Sequence, residues 1–272
     1  MAKKLNTIKG FGVLRAALTL TVFFFSFAHA RAQQMPLQHA LIIGNASYER
    51  AHDLNNPLND ARDVAARLAA LGFSIHGGSA HLDLGRDDLL EVMRDFSAQV
   101  PDGATALVFF AGHGVSNDGD TFLIPTDDGA LVTRSDLASH AVALRELTGR
   151  LAARGDVASI VLVDACRANG LRDEHGAGAV RGAGGAGDLV AGRSGSLHLI
   201  YAAAPGQIAA DGDGRNSPFT GALLSVLEDP ARRVDTLFFD LSAQVRARTD
   251  GHQLPWMAQI LATDQPPFFL TP

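Results

Sequence analysis

Four consecutive aliphatic residues, Ile160-Val161-Leu162-Val163, run straight into Asp164-Ala165-Cys166-Arg167. No other stretch limits the fold as tightly. A run this short, apolar on both faces and rich in β-branched side chains, suits a strand buried inside a parallel sheet. Parallel strands require crossover connections, so helices must separate them in sequence. In open α/β sheets ligands gather at the carboxyl ends of the strands. Residues 164–167 would therefore stand at the edge where chemistry is done, and Cys166 is the single cysteine of the 272-residue chain.

The remaining sequence supplies the alternation this demands. Residues 39–44 read as a first strand, and Asn59 or Asp60 can cap a helix whose Val64, Leu68 and Leu71 repeat at helical spacing. Gly72 stops that helix, and residues 73–76 begin a second strand. Residues 86–100 form an amphipathic helix, and residues 104–111 a third strand that ends in Gly112-His113-Gly114. A turn at Asn117-Asp118-Gly119-Asp120 precedes another short apolar run. Residues 143–153, 218–227 and 234–248 have helical character, 197–203 is a strand, and Gln253-Leu254-Pro255-Trp256 opens the last segment. The pattern predicts an α/β fold on a mostly parallel sheet, in a chain with room for one substantial domain. Residues 170–195 form a Gly/Ala-rich loop punctuated by Arg172, Arg181 and Arg193, a composition that reads equally as solvated linker or processing site.

Residues 1–30 differ in kind. Lys3, Lys4, Lys9 and Arg15 precede an apolar stretch over 16–27, and Ala28-His29-Ala30 has the form of a cleavage site. The apolar stretch is too short to span a bilayer comfortably, so the segment reads as a secretory signal peptide. The expected product is exported, periplasmic or secreted, with no stable membrane span once the leader is removed. The leader holds four of the 23 basic residues and none of the 29 acidic ones, which leaves the rest of the chain near −10. Such a charge argues against nucleic acid as a partner. A lone cysteine in an exported protein forms no internal disulfide and is either a buried hydrophobe or a reactive thiol.

Two strand ends then carry complementary groups, His113 and Cys166. A thiol nucleophile needs a neighbouring base, and imidazole titrates in the right range. The backbone N–H of Gly114 can join that of Cys166 in an oxyanion hole. No third polar residue stands out as the orienting partner of His113, which points to a dyad. Asp118, Asp120, Asp127 and Asp128 offer oxygen ligands of the kind calcium prefers, with Asp127 and Asp128 the weak candidates retained; the spacing lacks the glycine and distal glutamate of an EF-hand loop. No cofactor is required by this reading, and calcium is the one cation that suits it.

Phe110-Ala111-Gly112-His113-Gly114 and Asp164-Ala165-Cys166-Arg167 together resemble the histidine and cysteine motifs of the caspase-like cysteine peptidase clan, closest to its bacterial metacaspase-like members. Cys166 follows His113 by 53 residues, near the interval expected of that clan. The resemblance covers residues 38–265 as one domain and implies a three-layer sandwich with helices on both faces of the sheet, and a cysteine endopeptidase activity on protein or peptide substrates. Caspases carry Gln-Ala-Cys and a basic pocket. Asp164 replaces that Gln here and would attract a cation, favouring Arg or Lys before the scissile bond. The resemblance also assigns Asp60 to the pocket, although Asp60 reads equally as a helix cap. Asp164 is open to a structural role beneath the loop, and Asp211 is a third, weaker pocket candidate. A non-catalytic scaffold with the same fold is the rival reading, as is acyl transfer or hydrolysis of another kind by the same dyad.

Overall fold

The structure is a computed structural model and describes residues 38–154, 157–165, 196–229 and 234–261. The proposed leader, Cys166, Arg167 and the Gly-rich loop lie outside the described residues. At its centre is a sheet in the order β10-β9-β8-β4-β1-β2. Its parallel strands are β1 (Gln38–Gly44), β2 (Ser74–Ile75), β4 (Thr105–Gly112), β8 (Ala158–Ala165) and β9 (Leu197–Tyr201). β3 (His81–Leu82) also pairs with β1, and among the described residues of this sheet only β10 (Trp256–Ile260) runs antiparallel, against β9.

Each long central strand is buried on both faces, so successive residues feed two different cores. Ile42, Leu107, Ile160 and Ile200 face one side. There they meet Val64 and Leu68 of α1 (Pro57–Ala70), Leu223 of α5 (Pro218–Val226) and Leu241 of α6 (Val234–Arg248). Leu41, Val108, Val161 and Leu199 face the other side, against Leu89 and Phe96 of α2 (Arg86–Gln99) and Leu147 and Leu151 of α4 (Leu144–Ala152). The result is the expected three-layer α/β sandwich. A second, antiparallel sheet of β5 (Gly114–Asn117), β6 (Asp120–Leu123) and β7 (Val142–Ala143) leaves the end of β4, and a short α3 (Leu137–His140) precedes β7. The β5–β6 turn falls on Asp118 and Gly119, both at positive φ (49° and 88°). That is the backbone a two-residue hairpin requires.

Two local expectations are corrected. α1 starts at Pro57, not after a cap at Asn59 or Asp60, because proline at the first helical position presets φ. Asn56 is the capping residue but makes no side-chain cap; the Asp211 carboxylate accepts the Asn55 and Asn56 N–H groups instead. The second strand is only Ser74–Ile75, since Gly77 and Gly78 (φ 70° and 78°) turn the chain away from the sheet.

Candidate active site

Parallel pairing of β4 with β8 sets Ala111 opposite Asp164 and Gly112 opposite Ala165. The next residue in each strand direction is His113 on one side and Cys166 on the other. The two strands that end in the candidate residues are therefore neighbours with matching ends, as the sequence reading required. Cys166 itself lies outside the described residues.

His113 is half-buried and held at two atoms. Its N–H donates to the Tyr48 hydroxyl at 2.8 Å, and that hydroxyl donates to the Asn45 carbonyl at 3.1 Å. Its Nε2 lies 2.8 Å from the His52 carbonyl oxygen. A carbonyl only accepts, so Nε2 must carry the proton and the neutral ring presents Nδ1 as its basic lone pair. The imidazole thus has an orienting partner after all, supplied by main chain. Burial holds its pKa below the ordinary histidine value, opposed by the bond to His52. The tilted Tyr48 and edge-on His52 rings, each with its centroid 4.6 Å from that of His113, flank the ring.

The glycines on either side have separate reasons. A Cβ on Gly112 would meet the Tyr48 hydroxyl at 2.6 Å, so only glycine lets that hydroxyl reach the next backbone N–H. Gly114 pairs with Leu123, and the Ile124 N–H donates to the His113 carbonyl. That combination makes Gly114 and Leu123 a non-hydrogen-bonded pair, which turns the Gly114 N–H away from β6.

Asp60, Asp164 and Asp211 line one pocket together with Gly112, Ala165 and Ser217. The pocket holds about 30 Å³, the space of a water and less than a guanidinium needs. Asp164 is buried and accepts hydroxyl bonds from Ser217 at 2.5 Å and Thr220 at 2.8 Å. Asp60 is buried too and accepts the Ser217 N–H at 3.1 Å. Burial pushes the Asp164 pKa up to about 6 against the pull of the two hydroxyls. Burial and then repulsion from Asp164 push that of Asp60 up to about 8. At neutral pH two such carboxylates resist ionising together unless a cation joins them. Asp211 keeps its carboxylate on the start of α1, so it is both wall and clamp. Its loop is stapled to α1 a second time by the Arg215–Asp63 pair, 2.7 Å.

The calcium candidates are placed elsewhere. Asp127 accepts the Arg86 N–H, and Asp128 accepts those of Arg50 and Ala51. Both carboxylates organise backbone, and among the described residues no three acidic, histidine or cysteine side chains gather as a metal site. The sequence reading missed Tyr48, the His52 carbonyl, Ser217 and Thr220. Ser217-Pro218 was readable as a cap followed by proline, and Ser217 does accept the Thr220 N–H. A main-chain carbonyl leaves no mark in a sequence.

Comparison with known proteins bears on the family and the fold. A family model described as the caspase domain matches residues 37–265. The fold is similar to the crystal structure of caspase-1 from Spodoptera frugiperda, with TM-score 0.61 and 15% identity over 83% of this chain and 90% of that one. It is similar also to a protein of Geobacter sulfurreducens, with TM-score 0.58 and 19% identity over 82% and 92% of the two chains. Mucosa-associated lymphoid tissue lymphoma translocation protein 1 of Homo sapiens is 32% identical over 88 residues, and its Mus musculus homolog 33%. Those matches cover 32% of this chain and 10% of each relative.

Proposed function

The chain belongs to the caspase domain family, and from that premise we propose that it is an exported cysteine endopeptidase that cleaves after Arg or Lys. The observation that carries this reading is the register of β4 on β8, with an oriented imidazole on one tip and the residue before Cys166 on the other. His113 Nδ1 takes the Cys166 proton, and the thiolate attacks the substrate carbonyl to form a tetrahedral oxyanion. The Gly114 and Cys166 N–H groups receive that charge. Collapse of the intermediate breaks the peptide bond, and the imidazolium gives its proton to the leaving amine; water then hydrolyses the thioester.

The preference for a basic side chain rests on the three carboxylates in one pocket. A guanidinium would let Asp60 and Asp164 ionise together, with bidentate bonds that a neutral side chain cannot make. The pocket must widen to take it, which requires the loop carrying Asp211 and Ser217 to loosen its hold on α1. Residues 1–30 act as the export signal in this reading, and no helix of the described residues is long and apolar enough to cross a membrane. The test is cleavage of matched reporter peptides ending in Arg, Lys, Asp or Leu. Arg and Lys reporters should be cut and Cys166→Ala should abolish the cut. Retained activity in that variant, or preference for the Asp reporter, would refute the assignment.

A further inference from the structure

A second cavity, of about 470 Å³, opens between α2, α4 and the small antiparallel sheet. Four guanidinium groups stand in its walls, Arg86 and Arg94 from α2 and Arg145 and Arg150 from α4, against the one carboxylate of Glu146. On α2 the two arginines and Leu90 recur every four residues, which puts them along one helix face. The acids of that helix, Asp87, Asp88, Glu91 and Asp95, occupy other, exposed positions. In a chain of net charge −6, positive charge has been gathered here.

These cations are poorly matched from within the protein. Arg145 pairs with Asp120. Arg86 is 3.6 Å from Asp87, whose side chain is 99% exposed, a solvent-screened contact. Its Nε–H is buried with no acceptor among the described residues. Arg94 and Arg150 have no ion-pair partner among the described residues. The floor is apolar, formed by Phe122, Val142 and Ala143.

We infer that this cleft binds a small organic phosphate, with its phosphoryl groups on the arginines and a flat or apolar body over Phe122. Planar guanidinium forks match phosphate oxygens bidentately, and several of them converging in one cavity suit an anion whose charges are concentrated. The volume lies in the range of small-molecule sites, about 300–1,000 Å³. An acidic peptide would spread its charge over an extended length, and nucleic acid is disfavoured by the net negative chain. The cleft is separate from the acidic pocket and does not depend on the peptidase reading.

The experiment is calorimetric titration of the full chain with ATP, pyrophosphate, inorganic phosphate and a Glu-rich decapeptide at physiological ionic strength. ATP should bind more tightly than pyrophosphate, and inorganic phosphate least. Loss of a charge-assisted pair is worth about 1.5–3 kcal/mol, so Arg94→Ala and Arg150→Ala should each weaken ATP by about 10- to 100-fold. Both residues are exposed, so the variants should fold. Arg94→Lys should fall between, keeping charge without the fork. No heat with ATP or pyrophosphate would overturn the inference. So would tighter binding of the peptide, equal binding of inorganic phosphate, or affinity unchanged in the variants.

Discussion

Replacing Gly112 by alanine should unlatch His113 through Tyr48. The added Cβ would lie 2.6 Å from the Tyr48 hydroxyl, 3.0 Å from the Phe110 ring and 3.1 Å from the Asn45 carbonyl, at a φ of +156°. Overpacking of this kind costs about 1–3 kcal/mol, and a sparsely populated backbone conformation about 1–3 kcal/mol more. A loss near 3 kcal/mol is therefore expected, about 6–12 °C of Tm at this chain length. Tyr48→Phe alone strands the His113 N–H and the Asn45 carbonyl, for about 2 kcal/mol. In the double variant the oxygen that clashes is already gone, so the two losses should fall short of additivity by about 1–2 kcal/mol. Urea denaturation of wild type, both single variants and the double variant measures that cycle. A Gly112→Ala loss below about 0.5 kcal/mol, or additivity within about 0.3 kcal/mol, would refute the latch.

Ser217→Ala removes a hydroxyl donor from buried Asp164 and the cap of α5 together. It should cost about 2–4 kcal/mol, raise the Asp164 pKa further and increase KM for Arg reporters more than for uncharged ones; equal effects on both would show a purely structural role. Asp60 and Asp164 have folded-state pKa values above the 3.8 of a free aspartate, so the folded chain binds more protons than the unfolded one between about pH 4 and pH 8. Their contribution to stability is thus full below pH 4 and is lost as pH rises through about 6 and about 8. Arg-reporter binding should run the opposite way and strengthen over the same interval. Asp60→Asn should flatten the fall in stability, read from urea midpoints at about pH 5 and pH 8; an unchanged slope would remove Asp60 from this account.

The strands that hold the site were legible because each is a short branched-aliphatic run with nothing polar to place. β4 begins one residue after its expected start and runs one beyond its expected end, and β8 extends two residues past each end of the Ile160–Val163 run. His113, Asp60, Asp164 and Asp211 were singled out from motif and strand-end position, and the last three do share one pocket. What the sequence hid was the allocation of hydrogen bonds. Asp128 reads as a spare oxygen ligand until its partners, the Arg50 and Ala51 N–H groups, are seen 78 and 77 residues away. Asp211 reads as a loop acid, yet it closes the start of α1 some 155 residues upstream. Such long-range commitments depend on tertiary proximity, which residue spacing does not encode. The missed start of α1 is the local counterpart, since Pro57 opens the helix two residues ahead of Asn59, and a carboxylate from a distant loop holds the Asn55 and Asn56 amides just before it.

The group that steadies His113 belongs to the peptide unit of residue 52, and every amino acid has one. Swapping the side chain there removes the edge-on ring contact with His113 but leaves the acceptor in place, so the hydrogen bond that fixes the tautomer does not depend on which residue stands at position 52. The burden moves to Asp53, Asp83 and Asp128, whose carboxylates grip the Tyr48, Ala46, Ser47, Arg50 and Ala51 amides and set the path of residues 45–56. Three acids with no part in bond-breaking thereby govern which way a proton carrier points.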